Sequence, residues 1–222
     1  MKMIIAIDGP AGSGKSTVAK LISKKYGINY MDTGAMYRAF ALALIERGIE
    51  IADHEAVKAV LDEIDISVAY KEDGQHVYIA KRDVNAFIRT PEVSKGASDV
   101  AVIPDVRKKL VVSQRAAAEE FGIVMDGREI GTYVLPNAPL KIFLTASCEV
   151  RAKRRLKELN AAGIEKDLKT LEAEIAARDK TDSEREFAPL KLADDAVLID
   201  TSDMTIDEVI KEVEKNIKRV FG

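Results

Sequence analysis

The chain has 222 residues, 32% of them charged, and 34 Lys or Arg against 37 Asp or Glu leave a formal net charge of only −3. That length supports one sizeable hydrophobic core with room for a small inserted domain. The near balance of charge argues against nucleic acid as a partner, which usually calls for a large basic excess. A single cysteine, Cys148, allows no internal disulfide and reads as a packed side chain rather than a nucleophile.

The N-terminus enters an apolar run at residues 4–7 that is too short for a signal peptide. The longest apolar run, 39–45, falls far below the roughly 18–20 residues that cross a bilayer, so a cytoplasmic protein with no membrane partner is expected. In chain order, strands are expected at 3–7, 28–31, 123–125, 141–145 and 196–199. Helical patterns lie between them and end at glycines, which readily take the left-handed turn past a helix. Gly27 closes the helix from Lys15, Gly48 the one from about Ala35, Gly122 the one from about Pro104, and Gly163 the one from about Glu149. Thr205-Ile206-Asp207-Glu208 reads as a capping box that opens a last helix running almost to Gly222. Strands alternating with helices imply an α/β protein with a parallel sheet covered on both faces.

One stretch breaks that rhythm. Residues 66–70 alternate apolar with small or polar side chains, and 77–79 resume after Glu72-Asp73-Gly74-Gln75. Asp-Gly in such a pattern is a hairpin turn signal, so a small antiparallel element is inserted around 63–90.

Gly9-Pro10-Ala11-Gly12-Ser13-Gly14-Lys15-Ser16 fits the P-loop pattern at every fixed position, with a strand before it and a helix after. Glycines let the backbone form a nest whose N–H groups point at anionic oxygens. Lys15 then reaches the β- and γ-phosphates of a nucleoside triphosphate, and the Ser16 hydroxyl ligates Mg²⁺. Thr17, the next residue, completes this triphosphate-binding set. A P-loop does not name the acceptor, but the Asn-Lys-x-Asp signature of a GTPase is absent. Arginines stand instead at loop-like places: Arg38, Arg128, and Arg178 and Arg185 with Asp182 near the end of a long helical stretch. Transfer between two polyanions needs guanidinium groups to neutralise charge and hold donor and acceptor in line. Taken singly, each arginine also reads as a solvated surface charge.

These features together resemble the bacterial cytidylate kinases, a branch of the nucleoside monophosphate kinases, over essentially the whole chain. The resemblance rests on the P-loop, DTGAMYR at 32–38, SDVAVIPDVR at 98–107, DGREIGT at 126–132 and RDKTDSER at 178–185. It implies a three-layer P-loop fold with a five-stranded parallel sheet, an inserted monophosphate-binding domain carrying the antiparallel element, and a short lid. Residues 1–34, 104–150 and 190–222 would form the core, 35–103 the acceptor domain and 151–189 the lid. The implied reaction moves the γ-phosphoryl group of MgATP to CMP, and to dCMP, in a monomeric enzyme. Lys15, Arg128 and Arg178 are implied as catalytic. Thr33 and Arg38 match positions around the acceptor, with Arg38 and Arg128 on its phosphate. Ser98, Arg107 and Glu129 match positions that read the cytosine edge. Arg178, Asp182 and Arg185 match the group near the sugar and phosphates, the last two by the pentose. Arg151 and Arg155 stand four apart and share a helix face. In related kinases a similarly spaced pair clamps the donor triphosphate, and a basic solvated face is the other reading.

Cytosine chemistry suits those assignments. A carboxylate accepts from the exocyclic amine and an arginine donates to N3 or O2, whereas uracil reverses the pattern; each pairing discriminates by roughly 1–3 kcal/mol. One departure stands out: Glu129 occupies the place where the family usually has Asp, so its extra methylene has to be absorbed locally. Asp8 and Asp126, at strand carboxyl ends, would hold water on Mg²⁺ or orient a P-loop neighbour. The acceptor is already an oxyanion, so no general base is needed. His54 and His76 lack partners at metal spacing and read as surface residues, leaving ATP-borne Mg²⁺ as the sole metal expected. The rivals are a P-loop kinase for UMP, AMP or shikimate, and a protein that binds ATP without transferring it.

Overall fold

All five expected apolar runs form strands, assembled in the order β2-β6-β1-β7-β8 in a computed structural model that describes residues 2–161 and 163–222. They are β1 (Ile4–Asp8), β2 (Asn29–Asp32), β6 (Ile123–Gly127), β7 (Leu140–Thr145) and β8 (Val197–Asp200). β1 pairs parallel with β7, Ile7 opposite Ile142, and β7 parallel with β8, Leu144 opposite Ile199. Ile5, Ala6 and Ile7 are wholly buried although they alternate in direction, which is why the strand reads as a continuous apolar run. The remaining elements are α1 (Lys15–Tyr26), α2 (Thr33–Glu46), α3 (His54–Ala59), β3 (Ile66–Lys71), β4 (Gly74–Ile79), β5 (Arg82–Asp83), α4 (Pro91–Val100), α5 (Pro104–Glu120), α6 (Cys148–Ala161), α7 (Leu168–Glu184) and α8 (Ile206–Phe221).

The chain divides into two compact units, Met1–Gly27 with Val124–Gly222, and Ile28–Ile123. In the first, α8 begins with the full capping box: the Thr205 hydroxyl accepts from the Glu208 N–H, and Glu208 reaches back to the Thr205 N–H. Val209, Val213 and Ile217, spaced four apart, form its buried stripe. Cys148 donates to the Glu172 carbonyl at 3.4 Å and packs against Ala152, Leu171 and Ile175, where α6 meets α7. A π-helical turn, Ile130–Val134, follows β6; no periodicity in the sequence announces it.

In the second unit α2 is buried nearly all round and packs on α4. A Cβ on Gly96 would come within 3.2 Å of the Ala41 Cβ and 3.0 Å of the Ile51 Cδ1. The inserted sheet runs β3-β4-β5, all antiparallel. Its register differs from the sequence reading. Lys71 pairs with Gly74 and Tyr70 with Gln75, so the turn is Glu72-Asp73 alone and Gln75 belongs to a strand. The positive φ of 120° that calls for glycine falls at Gly74, the first residue of β4.

One other expectation is corrected and one refined. Gly122 takes no left-handed conformation; α5 ends on Phe121 in an extended conformation, because β6 starts at Ile123 and the chain simply straightens into it. His76 stands at the surface but is half-buried and partnered rather than freely solvated. Its side chain is 15% exposed and lies between Asp73 and Asp83, which hold its pKa above the ordinary histidine value.

Candidate active site

In the first unit the P-loop leaves β1 and enters α1 through glycines at positive φ, which L side chains rarely adopt. Gly9 has φ 145°, and a Cβ there would lie 1.9 Å from the Leu144 carbonyl oxygen of β7. Gly14, at φ 91°, caps the N-terminus of α1. That leaves the first turn of α1 with N–H groups aimed at the loop, the usual anion site of such a turn. Lys15 folds back over it. Its Nζ donates to the Pro10 carbonyl at 2.6 Å and approaches the Ser13 hydroxyl at 3.4 Å. Burial, then the positive charge of Arg128, pushes the ammonium well below the ordinary lysine range. An anion brought to the loop would relieve that penalty.

Two aspartates end adjacent strands and do different work. The Ser16 hydroxyl donates to Asp126 Oδ2 at 2.8 Å, so Asp126 orients the P-loop serine. Asp8 accepts instead from two successive backbone groups, Ile130 N–H and Gly131 N–H, each at 2.7 Å. It thereby fixes the turn that follows Arg128 and Glu129. Burial pushes the Asp8 carboxyl up to about 7, against the pull of those two hydrogen bonds. A Cβ on Gly131 would meet Lys141 Cδ at 3.1 Å and Asp8 Oδ2 at 3.3 Å, so a larger residue there would press on both side chains.

Four of the expected acceptor residues form one buried chain of alternating charge. Arg128 Nε donates to Asp182 Oδ2 at 2.8 Å, Asp182 Oδ1 lies 3.6 Å from Arg185, and Arg185 Nη2 donates to Glu129 Oε2 at 3.0 Å. Arg185 and Glu129 side chains are only 4% and 5% exposed. Burial alone would raise the Asp182 pKa, but Arg128, Arg178 and Arg185 together hold it below the ordinary value. Burial likewise opposes the charge on Arg128, and Asp182 outweighs it. Arg178 is exposed, one helical turn before Asp182 on α7.

Arg151 and Arg155 part company. Arg151 is buried, donating to the Ala146 carbonyl at 2.8 Å, to the P-loop carbonyl of Ala11 at 3.1 Å, and bidentately to Asp179. It braces the loop, and a solvated face is ruled out for it. Arg155 is exposed and pairs with Glu158 on its own helix. Sequence reasoning missed the second brace. Arg154 donates to the Thr201 carbonyl and hydroxyl oxygens at 2.7 and 3.1 Å, and the buried Thr201 hydroxyl approaches the Ser13 carbonyl at 3.4 Å. The i, i+3 spacing of Arg151 and Arg154 was an available signal; Asp179 and Thr201 carried none.

In the second unit Asp32 caps α2, accepting from the Ala35 N–H at 3.0 Å through Oδ1 and from Arg38 Nη2 at 2.7 Å through Oδ2. Arg89 approaches the same oxygen at 3.6 Å. Thr33 is buried in the first turn of α2. Ser98, half-buried on α4, bonds back to the Ser94 carbonyl at 3.5 Å. Arg107 is 1% exposed on α5, with Nη1 on the Ala101 carbonyl at 2.9 Å and its guanidinium 5.6 Å from the Tyr37 ring centre. Among the described residues no group of three or more His, Cys, Asp or Glu could hold a metal ion, and no helix is long and apolar enough to cross a membrane.

A family model described as cytidylate kinase matches residues 5–219. The cytidylate kinase of Streptococcus pneumoniae is 52% identical over 221 residues, covering 99% of each chain. That of Exiguobacterium sibiricum is 51% identical over 209 residues, 94% of each. Among solved structures, a gluconokinase from Sinorhizobium meliloti aligns with a TM-score of 0.50 at 15% identity, over 98% of this chain and 93% of that one. That last likeness is one of fold alone.

Proposed function

The chain belongs to the cytidylate kinase family, and from that premise we propose that it transfers the γ-phosphoryl group of MgATP to CMP, and to dCMP, giving the diphosphate and ADP. The observation that carries the proposal is the P-loop in one unit with the buried Arg128-Asp182-Arg185-Glu129 chain. A triphosphate cradle accounts for the first, and a second charged substrate for the guanidinium groups.

In this reading Gly9, Pro10, Ala11, Gly12, Ser13, Gly14, Lys15, Ser16 and Thr17 hold ATP, the Ser16 hydroxyl meeting the Mg²⁺ that travels with it. The hydroxyl is already oriented by Asp126. Lys15, Arg128 and Arg178 neutralise charge building on the transferred group. Arg38 and Arg128 hold the acceptor phosphate, Thr33 lies by it, and Asp182 and Arg185 approach the pentose. Ser98, Arg107 and Glu129 read cytosine. The acceptor oxygen is anionic, so catalysis is positioning plus charge neutralisation, with no proton to remove. Residues 1–34, 104–150 and 190–222 act as the core and 35–103 as the acceptor domain. Residues 151–189 act as a lid whose closure keeps water from the γ-phosphate. Arg151 acts on the donor side by shaping the loop through Ala11, whereas Arg155 is exposed and paired with Glu158 on its own helix. The same family reading makes the enzyme monomeric and cytoplasmic.

A coupled ADP assay with CMP, dCMP, UMP, AMP, shikimate and no acceptor tests this. CMP and dCMP are expected to drive ADP release far above the rate without acceptor, and the others weakly. Equal ADP release with and without CMP would end the proposal.

A further inference from the structure

Gln75, placed in β4 by the register of the hairpin, makes two hydrogen bonds to the main chain of one distant residue. Its Oε1 accepts from the Asp32 N–H at 2.6 Å, and its Nε2 donates to the Asp32 carbonyl at 3.2 Å. One side-chain amide thus takes both peptide groups of Asp32, as a neighbouring strand would. Gln75 is itself held in place. Asn85 donates Nδ2 to the Gln75 carbonyl at 2.8 Å and accepts from the Val77 N–H at 3.0 Å through Oδ1. Asp83 Oδ1 accepts from the Asn85 N–H at 3.1 Å, and its other oxygen meets His76. On the far side, the Asp32 carboxylate divides between the first turn of α2 and the Arg38 guanidinium. The pair is tightly seated: a Cβ on Gly34 would lie 3.1 Å from Asp32 Oδ1 and 3.3 Å from Arg38 Nη1.

We infer that Gln75 is a positioning residue for the acceptor phosphate: it pins the Asp32 backbone and so sets the direction in which Asp32 presents Arg38. This rests on the reading of Arg38 as a phosphate ligand given above. Asp32 stands at a junction, the last residue of β2 and the cap of α2. Backbone freedom there rotates its carboxylate, and with it the guanidinium. A misplacement of about 1 Å in a charged substrate contact costs up to about a hundredfold. An apolar side chain of the same length would fill the space and pin neither group. The inserted sheet, on this account, supplies one side chain that acts on the acceptor through two others.

Steady-state kinetics and thermal melting of the full chain test it, with Gln75→Leu, Gln75→Glu and Arg38→Lys beside the wild type. Gln75→Leu is expected to raise KM for CMP about tenfold while KM for ATP stays within about twofold. Gln75→Glu keeps the size and the acceptor but loses the donor, and should raise KM for CMP in the same sense; it carries the test if Gln75→Leu fails to fold. Unchanged KM for CMP in a folded Gln75 variant, with Arg38→Lys impaired, would overturn the role of Gln75 and leave that of Arg38 standing. An Arg38→Lys enzyme with unaltered KM for CMP would sink the reading of Arg38 and this inference with it. A lowered melting temperature with both KM values raised together would mark Gln75 as merely structural and overturn it too.

Discussion

The charges of the P-loop unit and those of the Ile28–Ile123 unit are built differently. In the first they are buried and tied to one another: Arg128 to Asp182, Arg185 to Glu129, Arg151 to Asp179. In the second some are set against backbone as well as against one another, with Arg107 on the Ala101 carbonyl and Asp32 divided between the first turn of α2 and Arg38. A buried network resists rearrangement, but each member depends on the rest. Groups held against backbone are closer to independent. Substitutions in the P-loop unit should therefore disturb turnover and stability together, whereas those in the other unit should act on the acceptor substrate first.

Lys15 is the largest test, and the exception that sharpens the contrast. Its ammonium is buried and disfavoured until an anion arrives, so Lys15→Ala should lower kcat about a thousandfold with no loss of melting temperature. A destabilised Lys15→Ala protein would mean that Lys15 serves the fold. Asp182→Asn comes next. It leaves Arg128 and Arg185 without their shared carboxylate, and urea unfolding should show a loss of about 3 kcal/mol. An unchanged midpoint would show the chain of charge to be incidental.

Asp8 gives a smaller effect with a definite sign. Its folded pKa of about 7 lies above the unfolded value, so the folded state keeps a proton that the unfolded state loses. The stability Asp8 contributes is full below about pH 4 and is lost as pH rises to about 7, on the order of 1 kcal/mol per pH unit. Unfolding of wild type and Asp8→Asn across that range should diverge accordingly; parallel curves would contradict the assignment. Smallest is the helix pair: Arg151→Ala should raise KM for ATP about tenfold, the scale of losing a bidentate charged brace. Arg155→Ala should shift it less than about twofold, as befits an exposed ion pair. Equal effects would restore the two-arginine clamp.

What the sequence made legible had local signals. The strands were apolar runs buried on both faces, and the P-loop was a spacing of glycines each needed within a few residues. The last helix was legible from a cap that closes on itself within four residues. What it hid depended on contacts distant along the chain. An Asp-Gly turn fits more than one register, and only the pairing of Tyr70 with Gln75 moved that glutamine from a turn to a strand. Helical spacing placed Arg151 and Arg155 on one face, but one turn advances 5.4 Å, enough to separate a residue under the P-loop from one in solvent. The Arg151–Asp179, Arg154–Thr201, Asp8–Ile130 and Asp8–Gly131 bonds join residues 28, 47, 122 and 123 apart in the chain, and no periodicity encodes them.

The most direct test is the ratio of kcat/KM for CMP to that for UMP, measured in the wild type and in Arg107→Met, which keeps reach and loses the donor. Two edge pairings at roughly 1–3 kcal/mol each predict a preference for CMP of at least about thirtyfold, falling by about tenfold or more in the variant. A wild-type ratio near one, or a ratio untouched by Arg107→Met, would contradict the account.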